Sequence, residues 1–240
     1  MDKRKTLIVV RLFFGLLTFY AVGLQLGTHL RLGYDPVNYF SYFTNLSNLF
    51  LAAIFVIGGL LLWQKQTPTR TQESARGASV VYIAVVGIVY GILLRDIDLG
   101  SLEPWINTLL HYVNPVVGVV DWFVSPPQHK LAKDAWKPWF MFPIAYLGYT
   151  LVRGSLVGWY PYPFLNPGNV GGYAIVALYC LAILVVFFAI SWAVIRVANG
   201  NGSSSTPTAK TKPKSKTKAK ATKKVAKKAT KKTAKQKSRR

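Results

Sequence analysis

Residues 38–63 read NYFSYFTNLSNLFLAAIFVIGGLLLW, from Asn38 to Trp63, without one charged side chain. A helix needs about 20 predominantly apolar residues to cross a bilayer, and this run supplies them. Five other stretches have the same character: Leu7–Gly27, Ala78–Leu94, Trp105–Val124, Pro138–Gly158 and Gly172–Ala198. Short segments rich in turn residues join them, such as Gly33-Tyr34-Asp35-Pro36 and Asn166-Pro167-Gly168. The expected fold is all-α. It is a polytopic membrane protein with six transmembrane helices over residues 1–198, followed by a Lys/Ala/Thr-rich tail over residues 199–240.

The chain has 240 residues, is 51% hydrophobic and carries a formal charge of +22. Those values describe two different segments. The tail holds 16 of the 30 Lys and Arg and no Asp or Glu, which leaves the apolar body near +6. The tail begins as a flexible Asn/Gly/Ser/Thr linker and continues in Lys-Ala and Lys-Thr repeats. It has almost no large apolar residue, so it is expected to stay disordered. Its expected partners are anionic lipid head groups, at about 1 kcal/mol per basic residue near the surface, or nucleic acid.

Lys3-Arg4-Lys5 before the first apolar run resembles the start of a signal peptide. The run is too long for that role and five more follow, so a retained first helix is expected. Lys3, Arg4 and Lys5 precede the first run. Lys65, Arg70 and Arg76 lie between the second and third, and Lys130, Lys133 and Lys137 between the fourth and fifth. The other loops carry Arg31 and Arg95 against Asp35, Asp96, Asp98 and Glu103. The positive-inside rule therefore predicts an inner-membrane protein with both termini cytoplasmic.

In that topology the second and fourth runs start on the same, outer side. Thr44 and His111 each lie about six residues in, roughly 9–10 Å below the start. A hydroxyl and an imidazole at one depth match what a Thr nucleophile and a His base require. Other polar groups share the layer. Ser41, Thr44, Asn45 and Asn48 recur at helical spacing, as do Asn107, Thr108, His111 and Asn114. Gln25 and Arg153 add to it from the first and fifth runs. Pro115 removes a backbone donor one turn after His111. An isolated Ser, Thr or Asn in a membrane helix is more often packing glue. The concentration of such groups points to a polar cavity. Arg153 must have a partner there.

Arg11 and Asp121 lie toward the other side of the membrane, and mutual pairing is expected. Asp121 is about 15 Å along the helix from His111, so it cannot orient that imidazole. Asp96 or Asp98 is the expected third member. One cysteine, Cys180, excludes a disulfide framework and a zinc cluster. No phosphate-binding loop or dinucleotide fingerprint is present, and no metal or cofactor is expected.

Tyr42-Phe43-Thr44 with Asn48 a turn later resembles the second-helix motif of the androgen-induced-gene family of six-span membrane hydrolases. His111 with Asp121 ten positions on is similar to its fourth-helix motif. Gly158-Trp159-Tyr160-Pro161-Tyr162-Pro163-Phe164-Leu165 resembles its fifth-loop signature. The likeness covers residues 7–198 and looks like a bacterial branch. It implies a threonine hydrolase acting within the membrane on fatty-acid esters of hydroxy fatty acids, with Thr44 and His111 catalytic. Asn45, Asn48, Asn114 and Arg153 are candidates for oxyanion stabilisation. Val152-Arg153-Gly154 departs from animal members, which have His residues there, and the basic tail is not a family feature. The alternative is a non-catalytic membrane protein that binds or moves a lipid or small amphiphile.

Overall fold

A computed structural model describes residues 2–98 and 100–200; Asn199 and Gly200, expected to open the disordered tail, instead end the last helix, and the rest of the tail with its lipid or nucleic-acid partners lies outside the described residues. Among the described residues the fold is all-α. The elements are α1 (Lys3–Arg31), α2 (Pro36–Phe40), α3 (Phe43–Trp63), α4 (Arg70–Val89) continued by a π turn (Tyr90–Leu94), α5 (Pro104–Thr108), a second π turn (Leu109–Val113), α6 (Asn114–Val124), α7 (Trp136–Val157), a 3₁₀ turn (Pro163–Leu165), α8 (Pro167–Val170) and α9 (Tyr173–Gly200). Five of these, namely α1, α3, α4 with its π turn, α7 and α9, are long and apolar enough to cross a membrane. The chain is an integral membrane protein. Large apolar side chains such as Ile92, Met141, Leu156 and Trp192 stand exposed on their outer surfaces, as lipid-facing residues do.

The run predicted as a fourth span, 105–124, is helical throughout but divided into α5, a π turn and α6. Pro115 explains the division. Its nitrogen has no hydrogen to donate to the carbonyl of His111, four residues back, and its ring crowds that carbonyl. The backbone widens into a π turn at the preceding residues. Gly87 of α4 packs on the same spot. A Cβ there would lie 2.8 Å from Pro115 Cβ, so the helices approach this closely only because Gly87 has no side chain.

The second run is also interrupted. The chain leaves α2 at Ser41 and restarts as α3 at Phe43, so Thr44 occupies the first turn of α3 and is not six residues into one helix. Ser41 lies in the break and its hydroxyl donates to the Val37 carbonyl. The expected single polar stripe is therefore corrected to Thr44, Asn45 and Asn48. The third run starts earlier than expected. A capping box of Thr69 and Gln72 begins α4 at Arg70, because the reciprocal bonds satisfy donors that the first turn would otherwise leave open.

That extension brings Glu73 and Arg76 into a helix, where both find partners. Arg11 and Asp121 pair as expected, through Nε–Oδ1 at 2.7 Å and Nη2–Oδ2 at 3.0 Å, with both side chains buried. Arg76 is the unforeseen third member, 3.3 Å from Asp121 Oδ2 and stacked over Trp122. Nearby, the buried Glu73 carboxylate accepts from the backbone N–H groups of Gln128 and His129 and from His129 Nδ1 at 2.7 Å. These contacts fasten the segment after α6 to α4. Asn199 adds a reciprocal pair of bonds to the backbone of Leu131.

Candidate functional site

The first turn of α3 leaves its backbone N–H groups without intrahelical acceptors. Tyr42 at the N-cap position makes no side-chain cap. The phenol of Tyr162, from the loop after α7, serves instead: Thr44 N donates to Tyr162 Oη at 3.1 Å, and Thr44 Oγ1 lies 3.3 Å from the same oxygen. Tyr162 is held by an edge contact with Tyr42 and by parallel stacking on Phe164. Burial pushes its phenol up to about 12, so it stays protonated and can donate as well as accept. Replacing Tyr162 with Phe leaves a buried N–H unpaired, an expected loss of about 1–3 kcal/mol. Thermal unfolding of the detergent-solubilised variant checks this; an unchanged midpoint would show that the phenol is not the cap.

His111 sits in the π turn of the broken run. Its Nδ1 is 3.1 Å from the carbonyl oxygen of Asn107. A carbonyl only accepts, so Nδ1 carries the proton and Nε2 presents its lone pair. The ring stacks on Tyr90 at 4.0 Å with planes 21° apart. Tyr90 is fixed in turn by a 2.8 Å bond from Asn107 Nδ2. Tyr90 begins one π turn and His111 lies in the other, and π turns inside α-helices occur frequently at functional sites.

Asn48 joins the two halves. Its fully buried amide donates to the Thr44 carbonyl at 2.9 Å and to the Leu110 carbonyl at 3.3 Å. Thr44 and the residue before His111 are thereby tied to one side chain. Asn48 Oδ1 accepts from Asn114 Nδ2 at 2.7 Å, and Asn114 also donates to Thr18 Oγ1. The network stiffens the scaffold, and it engages Asn48 and Asn114 away from the cavity wall. Neither presents a donor to a reacting group.

Thr44 and His111 face one cavity of about 480 Å³, without a direct hydrogen bond between them. Gln25 and Asn45 line it too. Gln25 Nε2 donates to the Ser101 carbonyl while its Oε1 accepts from Glu103 N, which pins the segment before α5 to α1. Asn45 donates to the Tyr39 carbonyl. Arg153 lies outside the lining. Its partners are Asn38 at 2.7 Å, Asp35 at 3.5 Å and the face of Trp159. With Tyr146 and Tyr149, which bond Ser41, it docks α7 against α2 and the break. The expected third member is also corrected. Asp96 is exposed and paired with Arg95, and the Asp98 carboxylate accepts from Gly100 N. The position a carboxylate would take on His111 is filled by the Asn107 carbonyl.

A second space, about 150 Å³ and almost wholly apolar, lies between α4, α7 and α9. Thr44, Leu94 and Tyr162 line both spaces. Sequence reasoning did not assign roles to Tyr162 and Tyr90. The aromatic-proline run 159–165 marks a built loop in the sequence, but its contact with Thr44 spans 118 residues.

Comparison of the chain with protein-family models, with curated proteins and with solved structures finds no match.

Proposed function

We propose that the chain is a six-span hydrolase of lipid esters, with the divided run 104–124 as the sixth crossing and Thr44 as the nucleophile. The observation that carries this is the shared cavity. Thr44 and a His111 whose Nε2 lone pair is free open into one polar space, tied together through Asn48. The likeness of Tyr42-Phe43-Thr44, of His111 and of the 158–165 loop to the androgen-induced-gene family supports the same assignment. Loop charges orient the cavity to the outer side of a bacterial inner membrane, with both termini cytoplasmic.

In the proposed reaction His111 Nε2 takes the Thr44 Oγ1 proton across the cavity that both side chains line, as a general base. Oγ1 attacks the ester carbonyl, the bond to the alcohol oxygen breaks, and the proton passes from His111 to the departing alkoxide. Cavity water then attacks the acyl-threonine, with His111 again as base. The acid is released and Thr44 is restored. Asn107 and Tyr90 hold the imidazole in the working tautomer and plane. The Tyr162 phenol, 3.3 Å from Thr44 Oγ1, is the donor placed to steady the developing oxyanion.

A fluorophosphonate probe tests this on the purified full chain in detergent. The expected result is one adduct, on the peptide carrying Thr44, lost in His111→Ala. An adduct that persists in Thr44→Ala would assign the nucleophile elsewhere. The missing direct Thr44–His111 bond favours a competing reading, a non-catalytic amphiphile-binding protein. That reading expects no adduct and no ester cleavage.

A further inference from the structure

We infer that the apolar space beside Thr44 holds a single acyl chain of bounded length while the polar cavity receives a hydrophilic alcohol, so that the substrate is an acyl ester of a polar alcohol. The inference rests on the hydrolase reading and narrows its substrate. Thr44 is on the wall common to both spaces. A carbonyl carbon placed at Thr44 Oγ1 therefore has one substituent on the apolar side and one on the polar side.

The apolar side is built for a hydrocarbon. Val85, Leu147 and Ile183 form walls from α4, α7 and α9. Apart from the Thr44 hydroxyl, the Tyr146 and Tyr162 phenols and the Cys180 thiol, every lining side chain is a hydrocarbon. The Tyr146 phenol is already spent on the Ser41 carbonyl. At the end away from Thr44 the lining is Phe140 and Phe187, packed edge to face at 4.4 Å. From Cys180 to Phe187, and from Leu147 to Phe140, the helices advance about 10 Å. Carbon–carbon bonds of about 1.5 Å in a zigzag advance about 1.25 Å each, so the space takes roughly eight to ten carbons.

The polar side is built for something else. His29, Asn38, Asn45 and Asp98 line it beside the aromatic faces of Tyr34 and Trp159. Such a wall suits hydroxyl-bearing groups. A long-chain alcohol here would lay hydrocarbon over the exposed Asp98 carboxylate and the partly exposed His29 and Asn38 and strip their water, which is costly.

The test uses the full chain in lipid nanodiscs and p-nitrophenyl esters from butanoyl to hexadecanoyl, with octanoyl glycerol and octyl octanoate compared separately. The specificity constant is expected to peak near octanoyl to decanoyl and to fall by about tenfold or more at hexadecanoyl, and octanoyl glycerol is expected to be preferred by about tenfold. Ile183→Phe moves the peak to shorter chains and Phe187→Ala to longer ones; opposite shifts cannot come from a shared folding defect. Thr44-dependent hydrolysis with a flat chain-length profile in all three proteins would overturn the acyl space and leave the hydrolase standing. A preference for octyl octanoate would overturn the polar-alcohol assignment. If no ester is cleaved, the hydrolase reading falls, and photolabelling with a diazirine-bearing octanoyl glycerol decides the rest. Adducts on α7 and α9 that octanoyl glycerol competes away keep the acyl space; their absence removes it.

Discussion

Thr44→Ala is expected to reduce ester cleavage to background while the protein remains folded. The substitution removes Oγ1 but keeps the backbone N–H that Tyr162 caps. The structural loss is therefore one side-chain hydrogen bond, about 1 kcal/mol. Thr44→Ser retains a hydroxyl and should retain activity. His111→Ala removes the base and should lower the rate by about 10²–10⁴-fold, the usual contribution of a positioned acid–base group. The measurement is single-turnover hydrolysis in nanodiscs, with a melting curve for each variant. A Thr44→Ala protein that keeps most of the wild-type rate would remove Thr44 from the chemistry.

Asp121→Ala is expected to cause the largest loss of stability in the chain. Asp121 pairs with both Arg11 and Arg76, and the three side chains are buried or nearly so, at 3%, 6% and 12% exposure. Removing it leaves two guanidinium groups facing each other in a low-dielectric interior. Breaking a buried ion pair in this way costs about 3–5 kcal/mol. Replacing all three residues together, as Arg11→Met, Arg76→Met and Asp121→Leu, should recover most of that loss, because no unpaired charge remains. Thermal unfolding in one detergent, by two optical probes, separates the outcomes. If Asp121→Ala unfolds at the wild-type temperature, the cluster is solvated and does not hold α1, α4 and α6 together.

Much of the architecture was legible along the chain because bilayer-crossing length and apolarity are local properties. Each of the five long helices overlaps a run visible in the sequence. The breaks were less visible. Pro115 announced a bend but not its form, a π turn that sets the His111 ring on Tyr90. Nothing local announces the end of α2 at Ser41, which is held by Tyr146 and Tyr149 from α7. Arg76 looked like a loop residue because its counter-charge, Asp121, is 45 positions away.

The candidate site divides along the same line. The sequence by itself determined which groups with chemistry were available: a hydroxyl, an imidazole and amides inside apolar runs. Their unusual residence there is a matter of composition. Only the tertiary structure decided how they are used. Asn48 and Asn114 turn inward as a tether, and Arg153 leaves the cavity for Asp35 and Asn38. A backbone carbonyl takes the place expected of an aspartate, and a distant tyrosine caps Thr44. The physical reason is that a buried polar group must find a partner. Which partner it finds depends on the groups packing brings within about 3 Å, and sequence distance does not restrict them.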